Sequence, residues 1–135
     1  MNEIKVKADI DMLDEVIAFV EEQLEAADCP MKTQMTISVA VEELFVNIAH
    51  YAYPPKTGDA IVRMEVKGDP KYAEIQFIDS GIPYNPLEKP DPDITKPAEE
   101  RPIGGLGIFM VKKSMDEMLY EYTDGKNIVT IRKTL

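Results

Sequence analysis

Glu43-Leu-Phe-Val-Asn47 is a short stretch in which two polar side chains flank three apolar ones. If it is helical, a spacing of four residues puts Glu43 and Asn47 on one face, one turn apart. The helix around them is largely apolar, with Ile37, Val41 and Ile48 among its residues. An unpaired buried polar group costs about 1–3 kcal/mol. We therefore expect the pair to face a cavity where metal, water or phosphate supplies partners, rather than to be a chance pair on a solvated face.

Two further segments carry residues that suit the same kind of site. Asp79-Ser-Gly81 ends an apolar run, where a strand would bring a carboxylate to the edge of a sheet and a glycine would let a flat ring approach the backbone. Gly104-Gly-Leu-Gly107 opens a new helical pattern, where free backbone N–H groups can hold phosphate. Alone, each segment is more typical of an ordinary turn or helix start. Combined with residues 43–47, they predict ATP chemistry.

The stretch between these two segments, residues 82–103, is rich in proline and charge and has no periodicity. Loops of that length inside a compact domain are uncommon and usually serve as lids or binding loops, or are disordered. We expect a lid over a nucleotide, with Lys96 and Arg101 as its candidate phosphate-binding side chains. The alternative interpretation is a disordered surface loop.

The composition is that of one globular domain, residues 1–135, with 44% hydrophobic residues. A formal net charge of −10 argues against nucleic acid and anionic membrane as partners, because both favour a basic surface. No apolar run approaches the roughly 20 residues of a membrane span, and the N-terminus lacks the apolar core of a signal peptide. Cys29 is the single cysteine, which excludes an internal disulfide. These features predict a cytoplasmic protein.

Hydrophobic periodicity predicts the element order β-α-α-β-β-lid-α-β-β. The helical patterns cover residues 13–27, 31–53 and 106–115, and the strand patterns cover 3–7, 62–66, 72–79, 118–122 and 128–131. Residues 124–127 are predicted to form the turn of the last hairpin. The simplest layered arrangement is an α+β two-layer sandwich, in which three helices cover one face of a mainly antiparallel five-stranded sheet.

In order and spacing, these segments resemble the histidine-kinase-like (Bergerat-fold, GHKL) ATPases, and among them the anti-sigma-factor serine/threonine kinases of bacteria. The resemblance covers nearly all of the chain and implies the Bergerat ATP-binding fold. By matching position, it implies that Glu43 is the general base, Asn47 the Mg²⁺ ligand and Asp79 the acceptor for the adenine amino group. The other implied nucleotide contacts are Gly81, Arg101, Gly104, Gly105, Gly107 and Thr130, the last lying near adenine on the final strand.

Three positions depart from the family pattern. Tyr51-Ala-Tyr53 stands where relatives often have His-Ala-Tyr, and the histidine, His50, comes one residue early. Pro83 replaces the last glycine of an Asp-x-Gly-x-Gly motif, and Arg101 is only the nearest match to a lid arginine. These departures bear on kinase activity more than on ATP binding.

The resemblance implies an ATP- and Mg²⁺-dependent protein kinase. Such a kinase phosphorylates serine or threonine on a small anti-sigma antagonist, a STAS-domain protein, and when free binds a sigma factor. Relatives commonly dimerise through the N-terminal sheet and helix region, so a homodimer is a possible state. Two alternatives stay open: a non-catalytic, ATP-dependent protein-binding module, in which nucleotide orders the lid and so switches partner affinity, and an isolated ATPase without a protein substrate.

Overall fold

A five-stranded antiparallel sheet is the centre of the computed structural model, which describes residues 1–88 and 105–135. Its strands are β1 (Asn2–Lys7), β2 (Asp59–Lys67), β3 (Tyr72–Asp79), β4 (Glu117–Thr123) and β5 (Lys126–Thr134). They lie in the order β1-β2-β3-β5-β4, and every neighbouring pair is antiparallel. Because β3 is central, its last residue, Asp79, pairs with Ala60 on one side and Asn127 on the other.

Three α-helices of the described residues pack on one face of this sheet: α1 (Leu13–Ala26), α2 (Met31–Tyr51) and α3 (Gly105–Ser114). The central one is α2, because it contacts α1 on one side and α3 on the other. A single 3₁₀ turn, Ile10–Met12, precedes α1. The Asp9 carboxylate caps that turn by accepting a hydrogen bond from the backbone N–H of Asp11 at 2.9 Å.

Periodic apolar positions build the core between the two layers. In α1, Val16, Val20 and Leu24 recur every four residues and are fully buried. In β2, alternate residues face the helices and are fully buried: Ala60, Val62 and Met64. The central helix α2 has seven buried residues: Gln34, Ile37, Ala40, Val41, Leu44, Phe45 and Ile48. A single apolar cluster therefore joins the helices to the sheet.

The predicted fold class and element order are confirmed, and the main correction concerns the last hairpin. Its second strand, β5, has nine residues and begins at Lys126, so Asn127 is a strand residue and not part of the turn. The turn is Asp124-Gly125, with φ of 52° and 74°. Aspartate and glycine tolerate this left-handed backbone, which two-residue hairpin turns require. The alternation of side chains along β5 therefore sets the direction in which Asn127 points.

Two other boundaries differ or fall outside the described residues. α2 ends at Tyr51, two residues before the predicted end, because the chain turns ahead of Pro54. Of the predicted lid, only residues 82–88 are described, and they include a second 3₁₀ turn, Pro86–Glu88. Residues 89–103 lie outside the described residues. Within the described part of the chain, no helix is both long and apolar enough to cross a membrane.

The sheet face opposite the helices carries many charged side chains. Lys67 and Arg132 both contact the Glu74 carboxylate, with N···O distances of 3.0 and 2.8 Å. Thr130 lies on this face, where it pairs with Gln76 of β3 and Leu119 of β4. Since side chains alternate between the two faces of a strand, Thr130 points away from the helices. Its neighbours on β5, Val129 and Ile131, belong to the core.

Candidate functional site

Glu43, in the middle of α2, lies against the first turn of α3. A methyl group added at Gly107 would overlap the Glu43 carboxylate, whose Oε2 and Cδ are the nearest atoms. The missing side chain at Gly107 therefore allows the carboxylate to approach the backbone of α3. Gly105 is the first residue of that helix. Two segments predicted to share a site, residues 43–47 and 104–107, are thus in contact at Glu43 and Gly107.

Asp79 ends β3 as a buried carboxylate, with 6% of its surface exposed. Its Oδ1 accepts hydrogen bonds from the backbone N–H of Gly81 and from Nδ2 of Asn127, both at 2.9 Å. Burial raises the pKa of the Asp79 carboxyl above its ordinary value, and these two hydrogen bonds act in the opposite direction by stabilising the ionised form. Asp79 is therefore a hydrogen-bond acceptor held in one orientation.

Asn127 contacts the Asp79 carboxylate, and the sequence pattern does not single it out, because residues 124–127 are predicted to form a turn. The side chain is 3% exposed. Its Nδ2 donates to Asp79 Oδ1 at 2.9 Å and to the carbonyl of Ile82 at 2.8 Å. Its Oδ1 accepts from the backbone N–H of Tyr84 at 3.0 Å and from the hydroxyl of Tyr120. The signal that could have found it is alternation, since Asn127 is in phase with the core-facing Val129.

Gly81 allows the chain that leaves β3 to pass close to the end of α2. A Cβ at Gly81 would overlap the backbone carbonyl of Ala52, and that carbonyl accepts the N–H of Ile82 at 3.1 Å. Tyr53 holds the same turn from the other side: its hydroxyl donates to the carbonyl of Asp59 and accepts from the N–H of Ser80, each at 2.7 Å. The turn after Asp79 is therefore fixed against the helix that carries Glu43.

A small cavity, which we term the Asp79 cavity, lies where α2 meets β3 and β5. Its volume is about 20 Å³, room for about one water molecule. Three of its lining residues have polar side chains of the amide or carboxylate type: Asn47, Asp79 and Asn127. The other walls are Leu44, Ile48, Tyr51, Ala52, Phe77, Ile82, Tyr84, Pro86 and Val129. A purine is larger than this space.

Tyr51 and Tyr84 form a stacked pair beside the Asp79 cavity. Their ring centroids are 6.1 Å apart and their planes differ by 22°. Tyr51 is the residue that stands in place of the family's histidine, while His50 is exposed and meets the Tyr51 ring edge-on. The pair connects the end of α2 to the segment that follows Gly81.

Glu43 also lines an open groove of about 220 Å³ between α2 and α3, which we term the Glu43 groove. Exposed apolar residues lead along α2 to this groove at intervals of four: Met31, Met35 and Val39, which are 68%, 63% and 55% exposed. Glu43 is the next residue at that interval. Met110 of α3, 52% exposed, borders the groove from the other side. We term Met31, Met35, Val39 and Met110 the apolar strip.

The structure brings most of the predicted site residues together around the second half of α2: Glu43, Asn47, Asp79, Gly81 and Gly107. The predicted position of Thr130 near adenine is corrected. Thr130 lies on the opposite face of the sheet, and the β5 residue that adjoins Asp79 is Asn127. Arg101 and Gly104, like Lys96, lie outside the described residues.

Asn47 is the candidate metal ligand of the described site. Its half-buried side chain lines the Asp79 cavity. Across residues 1–88 and 105–135, no three or more His, Cys, Asp or Glu side chains are grouped so that they could hold a metal ion. Mg²⁺ commonly binds proteins through one or two oxygen ligands and takes its others from water and substrate phosphates. A single amide oxygen therefore fits Mg²⁺ carried by a nucleotide better than a protein-only metal site.

Comparison with known protein families gives a match over almost the whole chain. Residues 6–133 match the family described as "Histidine kinase-like ATPase domain". Proteins named serine-protein kinase RsbW, from Bacillus cereus and Bacillus mycoides, are each 28% identical to this chain over 97 residues. The alignments cover 69% of this chain, which spans only 59% of the length of those relatives.

Two solved structures share the fold at low sequence identity. The RsbU and RsbW domains of a Mycobacterium tuberculosis protein match 100% of this chain and 33% of that chain, with a TM-score of 0.67 and 18% identity. The histidine kinase domain of a blue-light activated histidine kinase from Erythrobacter litoralis matches 79% of this chain and 46% of that chain, with a TM-score of 0.53 and 18% identity. At such identities, the likeness shows the fold alone.

Proposed function

The chain belongs to the histidine kinase-like ATPase domain family, and from that membership we propose that it is an ATP- and Mg²⁺-dependent serine/threonine protein kinase of the anti-sigma type. Its substrate is a small anti-sigma antagonist with a STAS-like domain, and its other partner is a sigma factor. The observation that carries the proposal is the arrangement along α2. Glu43 meets Gly107, while Asn47 and Asp79 share one cavity a single turn further on.

Glu43 is proposed to accept the proton of the substrate hydroxyl. The hydroxyl oxygen forms a bond to the γ-phosphorus of ATP as the bond from that phosphorus to the bridging β,γ-oxygen breaks. The products are a phosphoserine or phosphothreonine and ADP, and the proton ends on the Glu43 carboxylate. Positioned general bases of this kind typically contribute about 10²–10⁴-fold to the rate.

Other groups of the site are proposed to bind and orient the nucleotide. The ionised Asp79 accepts a hydrogen bond from the adenine amino group, and Gly81 keeps the backbone close to the base plane. Asn47 holds Mg²⁺, which when bound offsets the negative charge of the phosphates during transfer. Backbone N–H groups at the start of α3 add donors on the phosphate side.

The apolar strip supports a protein, rather than water, as the acceptor of phosphate. Met31, Met35 and Val39 expose long apolar side chains on a helix whose next residue at that spacing is Glu43. Contiguous exposed apolar surface is typical of protein contact sites. A protein that presents a hydroxyl to Glu43 would cover this strip, whereas an ATPase without a protein substrate does not require an apolar contact surface there.

A second candidate function is a non-catalytic, ATP-dependent binding module. The observation that favours it is the Tyr51–Tyr84 pair, which places a phenol where the family pattern has a histidine and encloses the Asp79 cavity. Transfer of labelled γ-phosphate to a co-encoded antagonist domain distinguishes the two functions. Transfer supports the kinase, and nucleotide-dependent antagonist binding without transfer supports the module.

The Asp79→Asn variant should bind ATP more weakly, because an amide can turn a donor toward the adenine amino group in place of the carboxylate acceptor. A buried hydrogen bond to a charged group is worth about 1–3 kcal/mol, so the Kd measured by calorimetry should rise about 5- to 150-fold. The Asp59→Asn variant is a control, since that carboxylate is half exposed on the neighbouring strand. Unchanged ATP affinity in folded Asp79→Asn protein would remove Asp79 from the base site.

The Met35→Glu variant should phosphorylate the antagonist poorly while it binds ATP normally. It places a charge in the middle of the apolar strip, 63% exposed and away from the Asp79 cavity. Loss of a central interface anchor costs about 1–3 kcal/mol, so the KM for the antagonist should rise about tenfold or more. Leu119→Glu, on the opposite sheet face and 47% exposed, should leave that KM unchanged. An equal effect of both variants would argue against docking on the strip.

A further inference from the structure

Asn127 has its full hydrogen-bonding capacity used within the protein. A primary amide has two donor hydrogens and two acceptor lone pairs. The hydrogens go to Asp79 Oδ1 and the Ile82 carbonyl, and the lone pairs accept from the Tyr84 N–H and the Tyr120 hydroxyl. Nothing is left for a ligand. Asn127 can therefore influence a bound nucleotide only through the groups it holds.

The group most directly held is the carboxylate of Asp79. Both hydrogen bonds that Asp79 receives from the described residues go to Oδ1, one from Gly81 and one from Asn127. Oδ2 receives none from this part of the chain and is left for a ligand donor. A carboxylate attached by one donor can turn about its χ2 angle, but two donors on the same oxygen fix the plane. The direction of the remaining oxygen is then fixed as well.

Asn127 also connects this carboxylate to Ile82 and Tyr84, which line the Asp79 cavity. The carbonyl of Ile82 and the N–H of Tyr84 both bind its amide group. The same side chain therefore holds both the Asp79 acceptor and two residues of the cavity wall.

We propose that Asn127 is a positioning residue that makes the site selective for 6-aminopurine nucleotides, by holding Asp79 with one carboxylate oxygen directed at the purine 6-position. The inference rests on the proposed adenine site. A 6-amino group donates to that oxygen, whereas a 6-oxo group presents an acceptor and is repelled. Asn127 touches neither base nor phosphate.

The test compares ATP with ITP, in which a 6-oxo group replaces the 6-amino group and N1 carries a hydrogen. Calorimetry gives the Kd of each nucleotide for the full chain and for Asn127→Ala. Wild type should prefer ATP, and Asn127→Ala should reduce the ITP/ATP ratio of Kd values by about tenfold. Both nucleotides are measured on the same sample, so a loss of folded protein cancels in the ratio. A purely structural role would weaken both nucleotides equally and leave the ratio unchanged.

Thr130→Ala is the matched control for this experiment. Thr130 lies three residues further along β5, is also buried (8% exposed) and faces the opposite side of the sheet. Its removal should lower the melting temperature without changing the ITP/ATP ratio. If Asn127→Ala does not fold, Asn127→Thr retains one donor and a β-branched side chain suited to a strand, and a fall of at least about threefold in the ratio is expected.

A double-mutant cycle with Asp79→Asn shows whether Asn127 acts through Asp79. If it does, adding Asn127→Ala to Asp79→Asn causes no further fall in the ratio. If Asp79→Asn lowers the ITP/ATP ratio but Asn127→Ala leaves it unchanged, the proposed role of Asn127 is overturned and the adenine site stands. A wild type that binds ATP and ITP equally overturns the adenine site as well. Additive effects in the cycle show that Asn127 acts independently of Asp79, which also contradicts the proposal.

Discussion

Replacing Glu43 by glutamine should reduce phosphate transfer to the antagonist by about 10²–10⁴-fold, while ATP·Mg²⁺ binds with nearly native affinity. Glutamine keeps the shape of the side chain and its contact with Gly107, but its neutral amide cannot accept the hydroxyl proton. General-base catalysis by a positioned carboxylate is of this magnitude. The measurement is single-turnover transfer of labelled γ-phosphate, with the Kd of ATP determined on the same protein.

Glu42→Gln is the matched control, because the adjacent carboxylate is exposed. It should transfer phosphate at the wild-type rate. If Glu43→Gln is also as active as wild type, Glu43 is a structural residue. If the wild type itself transfers nothing to the right antagonist but binds it in an ATP-dependent way, the chain is a binding module.

Asn47→Ala should remove the dependence of ATP affinity on Mg²⁺ and lower phosphate transfer by about 10²-fold or more, since the metal offsets charge as the phosphoryl group moves. The helix itself should persist, because alanine is the better helix former. Calorimetric titration of ATP at several Mg²⁺ concentrations, for wild type and variant, measures the coupling. Melting temperatures check that the fold is intact.

His50→Ala serves as the control for Asn47→Ala. His50 lies three residues later on α2, is exposed, and is polar like Asn47. Its replacement should leave the coupling between Mg²⁺ and ATP unchanged. Equal coupling in Asn47→Ala and wild type would contradict the assignment of Asn47 as the metal ligand.

The helices and strands of the described residues were predictable because their signals are local. Val16, Val20 and Leu24 share one face of α1 at intervals of four, and all three are fully buried. Asp124-Gly125 occupies the two positions of a hairpin turn that require left-handed backbone. The exception is the start of one strand: the pattern predicts that β5 begins at residue 128, which places Asn127 in the turn, whereas β5 begins at Lys126.

Thr130 and Asn127 show why the candidate site was only partly predictable. The family resemblance points to a threonine on the last strand, and Thr130 is the one that the predicted strand 128–131 contains. Which β5 residue adjoins Asp79 depends on the register between β3 and β5, and that register pairs Asp79 with Asn127. A register between strands about 50 residues apart is set by packing of the whole sheet on its helices, not by the local pattern.

The sequence by itself determined the periodicity of each element, the polar pair Glu43 and Asn47 on one helical face, and the small residue at position 107. These are properties of neighbours along the chain, and the geometry of a helix or strand follows from them directly. Only the tertiary structure decided that Glu43 meets Gly107, that Asn127 holds Asp79, and that Tyr84 stacks on Tyr51. Each of these contacts joins separate elements, so it exists only once burial of the common core has set the helix packing and the strand register.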